Sequence, residues 1–271
     1  MIEGKSFIYL DNFKTGSTFI KYTLKKHFPE SSVRNGNINK ISCINKKNKM
    51  LISSLRDPFK IYVSLWAYGC NKDGLLFNKL TNKSLNSRFS CSYIKNYKPK
   101  KYIFSFLSHY KINNPKEWEI LYSNQKSLRN FNTWLYEINS KNSYFKTKLN
   151  APIEFNDGRK IGFLSRRILK SFFSYSVDQK GRLVYESIKP KVDQWILTDT
   201  HEIMKIYLEK IIDEIRLSGE AFDKSQVVSL KEINKSNHLD HNLYYDKKSK
   251  EFIKKNDSFY FELYKKIKKS F

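Results

Sequence analysis

Two periods organise the apolar positions of this chain. Residues 6–10 (SFIYL) and 50–55 (MLISSL) are short, nearly unbroken apolar runs, which predicts strands buried on both faces. Between them, from Ser17, the residues Ile20, Leu24, His27 and Phe28 recur at helical spacing. Lys21, Lys25 and Lys26 take the opposite face, and Pro29 closes the helix. After the second run, Asp57 caps a helix, Pro58 begins it, and Phe59, Tyr62, Val63 and Trp66 form its stripe. Strand, helix and strand in this order predict a right-handed βαβ unit and a parallel sheet.

The middle, 71–190, is less regular. The segment from Asn71 to Lys101 reads as a long loop or insertion. Residues 127–140 predict a helix through Phe131, Trp134, Leu135 and Ile138, and residues 161–173 predict another. Regular order returns with a strand at 194–198. It is followed by an Asp199-x-x-Glu202 capping box and a helix carrying Ile203, Ile206, Tyr207, Ile211 and Ile215. From about Asp246 the tail predicts one basic amphipathic helix that packs through Phe252, Phe259, Leu263 and Ile267. Peripheral membrane contact is the alternative use of that helix.

Composition changes this picture little. The net charge of +25 is large, but only nine of the 51 basic residues are Arg, and the Lys, Asn, Ile, Phe and Tyr bias is what an AT-rich genome produces. The charge therefore predicts a general preference for anions, sensitive to salt. Three cysteines, Cys43, Cys70 and Cys91, lack CxxC spacing and do not pair evenly, which argues against a disulfide scaffold and a zinc site. The start of the chain leads directly into the first strand, and no apolar segment approaches ~18 residues; both predict a cytoplasmic protein.

The chemistry is concentrated in two places. In "FIYLDNFKTGSTFI" a strand hands over to a helix through Lys14, Thr15, Gly16, Ser17 and Thr18. Such a junction points unpaired backbone N–H groups and the positive end of a helix dipole at one spot, which suits phosphate or sulfate. A Walker loop places Lys after its second Gly, next to a hydroxyl for magnesium. Here Lys14 precedes Gly16 by two residues, so the cradle is shorter and implies no metal; an ordinary capped turn is the bland alternative. The second place is Arg56, at the carboxyl end of the second strand, with Ser64 eight residues on. Open parallel sheets bind ligands at the carboxyl ends of their strands, and Arg suits phosphate geometrically.

Together, "KTGST" after a strand and "SSLRDPFKIYVSLW" resemble the sulfotransferase family that uses 3′-phosphoadenosine 5′-phosphosulfate (PAPS). The resemblance covers residues 6–70 and 190–265, and implies an α/β three-layer sandwich around a central parallel sheet, the P-loop-NTPase-like sulfotransferase fold. It implies one domain over 1–271, with a nucleotide-binding core from 1–70 and 190–271 and acceptor-binding helices from 71–190. By position, Lys14, Thr15, Gly16, Ser17 and Thr18 hold the 5′-phosphosulfate, while Arg56 and Ser64 grip the 3′-phosphate. Trp66 stands where relatives carry an aromatic residue. Lys235 and Ser236 resemble a Lys-Ser pair that contacts the nucleotide in carbohydrate sulfotransferases, and Asp199 stands where Glu is usual. The implied reaction moves a sulfuryl group from PAPS to a hydroxyl of a carbohydrate or small molecule, an anionic glycan or glycolipid included. Lys14 meets the charge that builds on the leaving phosphate, without a metal.

The general base is where the chain departs from the family. Relatives place a His or Glu between the two motifs; here that interval offers His27 and Glu30, with Arg34-Asn35-Gly36-Asn37 where a His is expected. His27 is the candidate catalytic residue, although its place on an apolar face near the helix end suits a structural imidazole better; His109 and Glu117 are candidates in the middle. The spacing of His201, His238 and His241 does not match a zinc motif. The Arg166–Arg167 pair suits an anionic sugar or a solvated face equally. Two other classes remain as rivals. A P-loop-like nucleotide kinase requires a Walker lysine and a metal carboxylate. A nonenzymatic polyanion or nucleic-acid binder requires regular basic–aromatic interleaving, and the paired motifs argue against specific nucleic-acid recognition.

Overall fold

A computed structural model describes residues 1–33, 48–81, 115–140, 152–223 and 238–270. The chain divides into two compact units. The first comprises Met1–Ile61, Pro152–Lys235 and Asp257–Phe271, and the second comprises Tyr62–Ala151 and Ser236–Asn256.

The first unit is mixed α/β, built on a five-stranded sheet in the order β3-β1-β2-β4-β7. The strands are β1 (Ile2–Glu3), β2 (Phe7–Tyr9), β3 (Ser32–Val33), β4 (Met50–Leu55) and β7 (Gln194–Leu197). β2, β4 and β7 are parallel neighbours, as the apolar runs predict. β2 reaches β4 through helix α1 (Ser17–His27), which completes the expected strand–helix–strand unit. The edge was not foreseen. β1 pairs antiparallel with both β2 and β3, so the sheet is not parallel throughout. An antiparallel neighbour needs only a tight turn, whereas a parallel one needs a long crossover. The turn between β1 and β2 is held by Glu220, whose carboxylate accepts from the amides of Lys5 (2.9 Å) and Ser6 (2.6 Å).

Helices lie on both faces of this sheet. Phe7, Tyr9, Ile52, Ser54 and Ile196 share one face by register. That face meets both ends of α1, through Phe7 against Phe28 (ring centroids 5.2 Å) and Tyr9 against Ser17 (3.2 Å). Trp195 projects from the other face. It meets Phe172 (5.5 Å), the last residue of α6 (Phe163–Phe172), and Phe173 (6.4 Å) of β5 (Phe173–Ser174), which pairs with β6 (Lys189–Pro190). Phe173 in turn meets Phe259 (5.3 Å) of α9 (Ser258–Lys269). α7 (His201–Leu217) follows β7. Its buried stripe is Met204, Tyr207, Leu208, Ile211, Ile212 and Ile215, whereas Ile206 is exposed. The buried face is thus turned relative to the one the isoleucines suggest.

The second unit is helical. It takes most of α2 (Pro58–Cys70), then α3 (Gly74–Thr81), α4 (Pro115–Leu121), α5 (Leu128–Asn139) and α8 (Lys247–Asn256). α3 falls where a loop was expected, and α4 was not anticipated. α5 matches its sequence pattern closely: Ser127 caps it by accepting from the Asn130 amide, and Phe131, Trp134, Leu135 and Ile138 are buried. Trp66 meets Phe131 (5.4 Å) and Tyr244 (5.5 Å) edge-on, and the Trp134 indole donates to the Tyr122 hydroxyl (2.7 Å).

The tail is two helices, not one. Between α8 and α9 sits Asp257, fully buried, whose carboxylate accepts from the Ser165 amide at 2.7 Å. A buried carboxylate needs donors, and the helical pattern gives way there to supply one. Among the described residues no helix is long and apolar enough to cross a membrane.

Candidate functional site

The loop between β2 and α1 is built from the inside out. Lys14 and Gly16 both adopt left-handed backbone, at φ 57° and 68°. Glycine accepts this freely; lysine does so at a cost of ~1–2 kcal/mol that neighbouring contacts must offset. Four such contacts are visible. The Asn12 amide group donates to the Ser54 carbonyl (2.9 Å). Thr15, fully buried, donates its hydroxyl to the Asn12 carbonyl (2.9 Å) and lies 2.6 Å from the Ser54 hydroxyl. Arg56 Nη1 donates to the Lys14 carbonyl (3.3 Å). Tyr9 completes the lock, its hydroxyl 2.8 Å from Ser54 Oγ; burial pushes that phenol well above its ordinary range.

What faces outward differs from what faces inward. Thr15 and Ser17 turn their hydroxyls onto the Asn12 carbonyl, the latter at 2.5 Å. Gly16 and Thr18 are exposed. α1 begins at Ser17 with no side-chain cap on its first turn and no acidic residue there. A left-handed residue followed directly by a right-handed helix turns successive amides toward one point, a concavity suited to an anion. Of the five loop residues, Gly16 and Thr18 are exposed and Lys14 is partly buried. Thr15 and Ser17 instead contribute their hydroxyls to loop structure.

Arg56 follows β4 directly, at the carboxyl end of the strand beside β2, so the structure brings it to the loop. Its Nε–H is buried without an acceptor. Burial lowers the pKa of Arg56, against the pull of Asp199 and Asp57. Those two carboxylates organise the turn. Asp57 caps α2 by accepting from the Phe59 amide (2.7 Å), and its own amide donates to Asp199 (2.7 Å). The second Asp199 oxygen accepts from the Tyr264 hydroxyl of α9, and Tyr260 donates to the Arg56 carbonyl (3.3 Å). Asp199 is therefore not the N-cap of α7; Thr200 fills that place, accepting from the Ile203 amide (3.3 Å).

His27 and Glu30 separate from the loop. His27 ends α1, about 15 Å from its start at a 1.5 Å rise per residue. It is buried, stacked on Phe222 (5.6 Å), and neither ring nitrogen has a hydrogen-bond partner. Burial lowers its pKa. Its surroundings are those of a structural imidazole. Glu30 is exposed and pairs with Lys5 (2.9 Å). Ser64 and Trp66 are buried in the part of α2 that belongs to the second unit, Trp66 within the aromatic core. Glu117 is exposed in the first turn of α4. His201 opens α7 and lies edge-on to Phe19 (6.3 Å), while His238 Nδ1 lies 2.7 Å from the Leu239 carbonyl. Among the described residues no group of three or more His, Cys, Asp or Glu is placed to hold a metal ion. Lys235, Ser236, His109, Cys43, Cys91 and the segment 34–37 lie outside the described residues.

Sequence reasoning missed Asn12, Ser54, Tyr260 and Tyr264. Two serines inside an otherwise apolar strand were the available signal for Ser54, because a buried hydroxyl needs a partner. The tyrosines carried none, since their role depends on where α9 docks. Comparisons with models of known protein families, with curated proteins and with solved structures found no match to this chain.

Proposed function

We propose that this protein transfers a sulfuryl group from PAPS to an acceptor hydroxyl, with the β2–α1 loop and Arg56 holding the nucleotide. One observation carries the reading. A left-handed loop before an uncapped helix, and an arginine with a buried Nε–H lacking an acceptor, stand side by side at the carboxyl ends of adjacent parallel strands. The residues fit a bisphosphate better than a single phosphate, because they offer two kinds of donor: convergent amides and a guanidinium.

The nucleotide supplies the activated sulfuryl group. The protein's part is positional and electrostatic. Lys14 brings a positive charge to the leaving phosphate, and the Gly16–Thr18 stretch adds backbone donors at the positive end of α1. Arg56 receives the ribose phosphate, its backbone fixed by Tyr260 and the Asp57–Asp199 bond. His27 is too distant along α1 to act on an acceptor at the loop, so the base lies elsewhere.

Calorimetry with adenosine 3′,5′-bisphosphate, AMP and ATP tests the proposal. The bisphosphate should bind at least tenfold more tightly than either, and Arg56→Ala should erase that margin over AMP. Preference for ATP would favour a kinase and defeat the reading.

A further inference from the structure

Among the described residues Arg167 has no counter-ion. It projects from α6 and lays its guanidinium over the ring of Phe13, 3.9 Å from the centroid. The same ring meets Phe163 edge-on at 6.0 Å. Phe163 and Arg167 are four residues apart and so share one side of α6; together they pin Phe13, the residue immediately before Lys14. Its neighbour Arg166 is buried, and Asp257 favours its charge against that burial. No described residue gives Arg167 a carboxylate or a hydrogen-bond acceptor. Partial burial lowers its pKa to about 10, as burial does for Arg166. Holding a partly buried cation next to an already cationic loop is costly unless an anion completes it.

We propose that Arg167, held on Phe13, forms a second anion subsite that receives a carboxylate or sulfate group of the acceptor. This rests on the reading of the loop and Arg56 as the nucleotide cradle. The side of approach distinguishes the two sites. α1 covers the sheet face that carries Tyr9 and Ser54, whereas α6 covers the face that carries Trp195. Arg167 therefore flanks the loop from the side opposite the helix whose amides hold the phosphosulfate. A guanidinium stacked on an aromatic ring keeps its in-plane N–H fork available for a planar carboxylate or a sulfate. The acceptor class that follows is an acidic one, with the reacting hydroxyl near a negative group.

The test is calorimetry on the full chain saturated with adenosine 3′,5′-bisphosphate, titrated with inorganic sulfate and, separately, with glucuronate against glucose. Wild type should bind sulfate, and Arg167→Gln should weaken that binding at least tenfold, the size of one lost charge-assisted bond. Phe13→Leu, which keeps the charge and removes the platform, should weaken it about threefold. Bisphosphate affinity should stay within twofold in both variants, which also shows that they fold. Glucuronate binding without glucose binding extends the assignment to carboxylated acceptors; sulfate binding alone narrows it to sulfated ones. The subsite is overturned if Arg167→Gln binds sulfate like wild type. It is also overturned if that variant loses bisphosphate affinity, or if Lys14→Ala weakens sulfate as much as Arg167→Gln does. Failure of wild type to prefer the bisphosphate over AMP would instead sink the nucleotide assignment, with the sulfate arm still reporting on Arg167.

Discussion

Arg56 donates a hydrogen bond from Nη1 to the Lys14 carbonyl across 3.3 Å, and Lys14 holds that carbonyl in left-handed backbone. The arginine thereby supports the unusual conformation of the loop, while its Nε–H stays buried without an acceptor and, in the proposed reading, meets the ligand. Arg56→Lys separates the two. A lysine keeps the charge but loses the planar fork. Affinity for adenosine 3′,5′-bisphosphate should fall about ten- to hundredfold, as expected for one or two charge-assisted bonds, while AMP affinity changes less than threefold. Equal losses for both nucleotides would mean that Arg56 only shapes the loop.

Tyr264 joins α9 to the turn that presents Arg56, through Asp199. Tyr264→Phe leaves one carboxylate oxygen without its donor, and should cost ~1–3 kcal/mol in urea unfolding. Tyr22→Phe, at a half-exposed position on α1, should change stability by less than ~0.5 kcal/mol. Comparable values for the two would remove the special place given to the Tyr264–Asp199 bond.

Thr15 is fully buried and spends its hydroxyl on Asn12 and Ser54. Thr15→Val keeps the branched shape and removes one hydrogen bond from each partner, leaving the Asn12 carbonyl with Ser17 and the Ser54 hydroxyl with Tyr9. Stability should drop by ~1–3 kcal/mol, read by thermal or urea unfolding, and the melting temperature of the variant should rise less on adding bisphosphate. A neutral substitution would show that the hydroxyl does not lock the loop.

His27 is buried against Phe222, with Asp223 nearby and Lys26 beside it. Burial holds its folded pKa below the ordinary histidine value of about 6.5. The fold therefore prefers the neutral ring. Its stability contribution is present above pH ~6.5 and declines as pH falls below that value toward the folded pKa, because the unfolded chain takes up the proton first. Melting temperature should decrease from pH 7.5 to 5.5, a window above most carboxylate titration, and His27→Gln should remove much of that slope. An unchanged slope would place the pH sensitivity elsewhere. Sulfotransfer in the same variant should survive, since the imidazole stands about 15 Å along α1 from the loop.

Much of the scaffold was legible from the chain. Local rules act over a few residues, and outside α3 and α4 they succeeded where the decisive partner was local. β4 falls on Met50–Leu55, α1 ends before Pro29, Asp57 caps α2, and Ser127 caps α5. The proximity of the loop to Arg56 was also legible, because both follow parallel strands that the pattern made neighbours.

Other features depended on partners distant in sequence. Asp199 reads as a cap by local rules, yet its carboxylate accepts from the amide of Asp57, 142 residues away, and from Tyr264. Asp257 interrupts a continuous amphipathic pattern to meet the Ser165 amide, 92 residues away. Arg167 reads equally as an anion-binding or a solvated residue until α6 docks and sets it on Phe13. Periodicity states which side of an element is buried, and the amino-acid sequence by itself determined that much for α1 and α5, though not for the whole face of α7, together with the turn that opens α1. Which polar group a buried carboxylate or guanidinium meets is set only when elements pack, because such groups take the donors and acceptors that docking brings within about 3 Å.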